Sequence, residues 1–148
     1  MPEIKNILCP IDFSDTSLSA LDYGIDLATT LGAEVHVMHA YQLPVYALPD
    51  GALMASPEYI TDLSNKLQAE LDKVVDARQD RGPTLQAHLV EGVPHDEVAR
   101  LGERIGADLV VMGTQGRSGL GHWLLGSVAE KVVRSSEVPV LTVRQPKK

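Results

Sequence analysis

Leu109-Val110-Val111-Met112-Gly113-Thr114-Gln115-Gly116, followed after nine intervening residues by Gly126-Ser127-Val128-Ala129, is the stretch whose pattern fixes the architecture. Its first four residues form a short aliphatic run, as carried by a strand buried on both faces of a parallel sheet. Val128, Ala129, Val132 and Val133 then recur at helical spacing. Gly113, Gly116 and Gly126, between a strand and a helix, indicate a backbone that comes close to something, since glycine tolerates positive φ and has no side chain to block a ligand. The free N–H groups and positive dipole end of a helix start suit an anion, and Ser127 adds a hydroxyl. One reading is a phosphate cradle; the other is a loop that only turns the chain. Spacing leaves both open. No Gly-Lys-Ser or Gly-Lys-Thr occurs, so this is not a Walker A loop, and no G-x-G-x-x-G follows the first strand.

Working outward, strand-like and helix-like segments alternate along the whole chain. Ile4 to Ile11 reads as a buried strand, and Asp12-Phe13-Ser14-Asp15 is rich in helix-capping residues. Leu18, Leu21, Ile25, Ala28 and Leu31 form a helical stripe that Gly32 ends. A second strand runs from Glu34 to Ala40. The connection 41–55 is long, proline-bearing and partly apolar, and reads as a folded-back loop or a lid. Ser56-Pro57 then starts a helix with a period kept to Gly82. Thr84 to Val90 is a third strand; the helix after Pro94 stops at Gly106; Leu109 to Met112 and Val138 to Val143 are the fourth and fifth strands. Such alternation predicts an α/β fold, a doubly wound, open parallel sheet with helices on both faces. If the strand order is 3-2-1-4-5, strands one and four flank the reversal, where such sheets hold ligands. Asp12 and Gly113 then face each other across one crevice.

Composition narrows the function. The 148 residues suit one domain, 1–148, and the net charge of -7 argues against nucleic acid and against anionic membranes. No apolar run approaches membrane-spanning length, and the start lacks a signal-peptide pattern. The single cysteine, Cys9, points to a reducing compartment, so the expectation is a cytoplasmic protein. His36, His39, His88, His95 and His122 show no metal spacing, and Cys9 reads as an inert core residue.

The chain resembles the universal stress protein family. The resemblance rests on G-x-x-G, nine residues, G-[S/T], borne by Gly113, Gly116, Gly126 and Ser127, with Val111-Met112 before it and Val128-Ala129-Glu130-Lys131-Val132 after. Ile7-Leu8-Cys9-Pro10-Ile11-Asp12-Phe13-Ser14 is similar to the family's first strand and acid, and Val138-Pro139-Val140-Leu141-Thr142-Val143 to its closing strand. The resemblance implies the five-stranded sandwich in 3-2-1-4-5 order and, with the full glycine pattern, ATP binding. It implies that Asp12, beside Pro10, faces the ribose or a phosphate-bound Mg²⁺, and that Ala40 offers backbone to adenine. It implies further that Met112 lines the base or ribose side, and that Gly113, Gly116, Gly126, Ser127 and Val128 hold ribose and phosphates. It also implies a homodimer through the strand from Val138 to Val143.

Single residues keep second readings. Asp12 is a ligand contact or a helix cap. Arg117 and Lys131 are the cations nearest the glycine loop, Arg117 toward phosphate and Lys131 toward solvent; the role of Gln115 stays open. With no positioned base paired with an arginine finger, the expectation is a regulatory stress-response nucleotide binder with at most slow ATP hydrolysis and an unidentified regulatory partner. The alternatives are a receptor for AMP or cyclic AMP, and a nucleotide-free dimeric interaction module.

Overall fold

The computed structural model describes residues 2–43, 56–115 and 125–145. Gly116, Arg117, His122 and positions 44–55 of the long connection lie outside the described residues. Five strands, β1 (Asn6–Pro10), β2 (Glu34–Tyr41), β3 (Leu85–Glu91), β4 (Leu109–Gly113) and β5 (Val140–Val143), alternate with four helices. These are α1 (Asp15–Leu31), α2 (Pro57–Asp76), α3 (Pro94–Ile105) and α4 (Ser127–Ser135). The sheet is parallel throughout, in the order β3-β2-β1-β4-β5. The expected α/β architecture and strand order are therefore observed.

Strand alternation sorts the core into two layers. Ile7, Cys9, Val35, Val37 and Val111 face one cluster, completed by Leu21 and Ile25 of α1 and Leu71 of α2. Leu8, Met38, Val110 and Met112 face the other, completed by Leu101 of α3 and Val132 of α4. Cys9 is fully buried, and that burial pushes its thiol up to about 12, so it stays protonated as a packing residue.

Boundaries differ from the periodic reading by more than one residue in three places. β1 is shorter than Ile4 to Ile11, although Ile11 still donates to the Met38 carbonyl at 2.7 Å. The helical period to Gly82 breaks earlier: α2 ends at Asp76 and a single 3-10 turn, Gln79–Arg81, follows. There the Arg78 guanidinium reaches 2.8 Å across to Asp22 of α1, and Arg81 binds Asp22 and Asp26, each at 2.9 Å. Finally, β5 begins at Val140 rather than Val138. Pro139 has no N–H for a ladder, and Ser136 Oγ instead accepts from Val138 N–H at 3.2 Å and donates to its carbonyl at 2.7 Å. Among the described residues no helix is long and apolar enough to cross a membrane.

Candidate functional site

A cleft of about 200 Å³ opens at the carboxyl ends of β1 and β4, the place where the strand order reverses. Pro10, Ile11 and Asp12 enter it from β1, Met38 and Ala40 from β2, Met112, Gly113 and Gln115 from β4, and Gly126, Ser127, Val128 and Ala129 from the start of α4. Ser17 of α1 and Pro94 of α3 complete the wall. The eight expected residues that are described, Pro10, Asp12, Ala40, Met112, Gly113, Gly126, Ser127 and Val128, thus converge on one cavity. Gly116 and Arg117 fall outside the described residues.

The β1 side is knotted by its own polar groups. Ser14 is the N-cap of α1, its Oγ accepting from Ser17 N–H at 3.2 Å. That hydroxyl donates to Asp12 Oδ1, which also accepts from Ser14 N–H at 3.0 Å. Asp12 N–H in turn donates to Ser17 Oγ at 3.2 Å. Capping therefore belongs to Ser14, while the Asp12 carboxylate braces the turn from the cleft side. Phe13, between them, has a left-handed backbone, φ 65°, a conformation that bulky residues rarely take.

The β4 side is built from backbone. Gly126 N–H donates to the Thr114 carbonyl at 2.6 Å, and Thr114 N–H donates to the Val143 carbonyl at 3.1 Å. The two ends of the glycine loop are thereby pinned together and to β5. The Gly126 amide is thereby engaged by protein, and the amides of α4 itself begin at Ser127. Gly126 occupies the N-cap of α4 with φ −59° and ψ 160°. Lacking a side chain, it cannot cap those amides as Ser14 caps α1.

Gly113 makes its close approach to protein. Its φ is not positive, and a Cβ there would lie 2.9 Å from Thr16 Cγ2 and 3.1 Å from the Thr16 carbonyl oxygen. The first turn of α1 packs on β4 so closely that any side chain at 113 would force a shift there. Thr16 itself is buried, with its hydroxyl 3.1 Å from Gln145 Oε1.

Several lining residues were not anticipated. Met38 carried a signal, since it precedes Ala40 by two on one strand and must share its face. Ser17 was legible only as a helix-start residue. Pro94 carried no local signal, because its place depends on how α3 docks. Lys131 is exposed, as read from the sequence. The fold also brings together two histidines from different strands: His36 Nδ1 lies 3.0 Å from His88 Nε2, away from the cleft. Among the described residues no group of three or more potential metal ligands forms.

With fold and cleft defined, comparison with known proteins gives the class. The sequence model of the universal stress protein family matches residues 3–144. The chain belongs to that family. It is 39% identical over 146 residues to universal stress protein MJ0531 of Methanocaldococcus jannaschii, covering 97% of this chain and 84% of the relative. The solved structure of MJ0577 from the same organism superposes with a TM-score of 0.77 at 29% identity, over 99% of this chain and 100% of that one. A universal stress protein solved in complex with cAMP superposes with a TM-score of 0.72 at 26% identity, over 97% of this chain and 98% of that one.

Proposed function

We propose that residues 1–148 act as one universal stress protein domain that binds an adenine nucleotide in the β1/β4 cleft, with Mg-ATP as the first candidate. The observation that carries this is the meeting of an N-cap glycine, a helix start and a carboxylate at one cavity. Ser127 and Val128 N–H groups, with the Ser127 hydroxyl and the dipole end of α4, take phosphate oxygens. Met38 and Met112 give an apolar floor for the base or ribose, and the Ala40 backbone reads the adenine edge. Asp12 takes the ribose hydroxyls or the cation.

A single carboxylate suits magnesium delivered on a nucleotide, because Mg²⁺ is held by one or two carboxylates together with phosphates and water. Asp12 would hold the cation, and the cation would neutralise phosphate charge. Gly116 and Arg117 extend the proposed phosphate set. The chain's role is regulatory: nucleotide occupancy is the signal, and hydrolysis is slow or absent. AMP or cyclic AMP is the second reading, favoured by the relative solved with cAMP. The compartment proposed is the reducing cytoplasm.

Titration calorimetry of the purified protein with ATP, AMP and cyclic AMP, each with and without Mg²⁺, tests the proposal. Binding of ATP strengthened by Mg²⁺ is expected. Absence of binding for all three would leave an interaction module instead.

We further propose that the protein acts as a homodimer through β5, the sheet edge next to β4. Pro139 and Val143 carbonyls accept from β4-side amides, so the alternate residues Val140 and Thr142 turn their own N–H and C=O groups outward. Leu141 and Val143 pack on the core, which makes charges there a poor probe of the interface. Thr142→Pro removes one outward N–H and leaves the β4 ladder intact; sedimentation should then show a monomer where the parent chain is a dimer.

A further inference from the structure

His39 does not line the cleft, yet its neighbours Met38 and Ala40 do. Strand alternation turns it to the opposite face of the sheet, behind the site. There its Nδ1 lies 2.8 Å from the Ile11 carbonyl oxygen. A carbonyl only accepts, so Nδ1 carries a proton and donates. On the other side of the same residue, Ile11 N–H donates to the Met38 carbonyl at 2.7 Å. Both backbone groups of the residue before Asp12 are thus held by two consecutive residues of β2.

The His39 ring makes a second contact. Its centroid is 4.5 Å from that of Phe13, with the planes tilted by 50°, a favourable aromatic arrangement. Phe13 is the sole non-glycine with positive φ among the described residues. A bulky residue keeps such a backbone only where its surroundings impose it. His39 contacts the chain on both sides of Asp12, by a hydrogen bond to residue 11 and a ring contact to residue 13, beside the turn's own Asp12–Ser14–Ser17 bonds.

We propose that His39 is a positioning residue for the nucleotide site, clamping the left-handed turn that presents the Asp12 carboxylate to the cleft and so setting affinity from behind the sheet. This rests on the nucleotide reading above. It separates His39 from an ordinary half-buried core residue, which an apolar ring of similar size would replace.

The test uses His39→Asn, which keeps an N–H donor near the Nδ1 position, His39→Phe, which keeps the ring alone, and His39→Ala. Mg-ATP affinity is measured by calorimetry, global stability by denaturation, and hydrogen exchange at the Ser14 and Ser17 amides in nucleotide-free protein. His39→Phe and His39→Ala should each bind about tenfold more weakly, the equivalent of one well-placed hydrogen bond, while His39→Asn recovers most of that loss. The Ser14 and Ser17 amides should exchange faster in the Phe and Ala variants than in the parent and the Asn variant. Equal affinity in all four proteins, or affinity that follows global stability instead of the donor, overturns the proposal. If the parent chain binds no nucleotide, the functional reading fails on its own, and the exchange pattern still decides the clamp: parent-like exchange in His39→Phe overturns it.

Discussion

Two helices begin at the rim of the cleft, and they begin in opposite ways. α1 starts from a turn whose polar groups satisfy one another: Ser14 caps Ser17, Asp12 accepts from Ser14, and Ser17 accepts from Asp12. α4 starts from Gly126, which has no side chain to offer its first amides. One helix start is capped by its own side chain; the other, among the described residues, has no side-chain cap. Under the proposed nucleotide reading, two helix starts in one crevice divide the work, the first presenting a carboxylate and the second its amides and dipole to an anion.

The largest effects are expected at Gly113 and Gly126, the two glycines that bracket the loop. Gly113→Val should drive a side chain into Thr16 and cost about 1–3 kcal/mol or more of stability by overpacking, read by chemical denaturation. A variant as stable as the parent would mean that α1 does not press on β4 as described. Gly126→Ala is the contrast. Its φ of −59° is open to any residue, so stability should change by less than about 1 kcal/mol. Affinity for ATP should nevertheless fall by at least ~1.4 kcal/mol, or tenfold, because the methyl group crowds the helix start. Unchanged calorimetric affinity in the folded variant would sink the cradle.

Two serines sharpen it further. Ser14→Ala should cost about 1 kcal/mol of stability as a lost N-cap. Ser127→Ala should leave the denaturation midpoint in place and weaken nucleotide binding instead. If both lose stability equally, α4 is closed like α1 and the asymmetry is wrong.

The smallest effect lies away from the cleft. Burial, opposed by the Glu34 carboxylate, lowers the pKa of His36 below its ordinary 6.5. Burial, the neighbouring His36 and the charge of Arg104 lower that of His88. An unfolded chain therefore takes up these protons more readily than the folded one. Stability from the neutral pair is complete above the ordinary imidazole range and declines as pH falls through it. Denaturation at stepped pH should show this decline, and His88→Gln should flatten it; an unchanged slope would show that the pair does not govern acid sensitivity.

Much of the site was legible because its chemistry is local. Asp12, Gly126 and Ser127 stand at strand-to-helix junctions that hydrophobic periodicity alone reveals, and the family resemblance carried Ala40 and Met112 with them. His39 was not legible in this way. A histidine inside a strand looks like any other polar interruption until β1 is laid beside β2. Gly113 was legible as a constrained glycine, but its cause was not: the residue that forbids a side chain there, Thr16, is far away in sequence.

What the sequence determined by itself is the order of elements and the face of each. Alternating apolar runs and helical stripes dictate a parallel sheet with covered faces, since a strand buried on both sides must be apolar along its length and its crossovers need helices. Junction residues follow from the same alternation. Only the tertiary structure decided which junctions meet. Parallel pairing in the order β3-β2-β1-β4-β5 brings the turn after β1 against the loop after β4, and it sets His39 behind Asp12 and Thr16 against Gly113. Those contacts join residues from separate elements, so they depend on docking between strands and helices that no local pattern encodes.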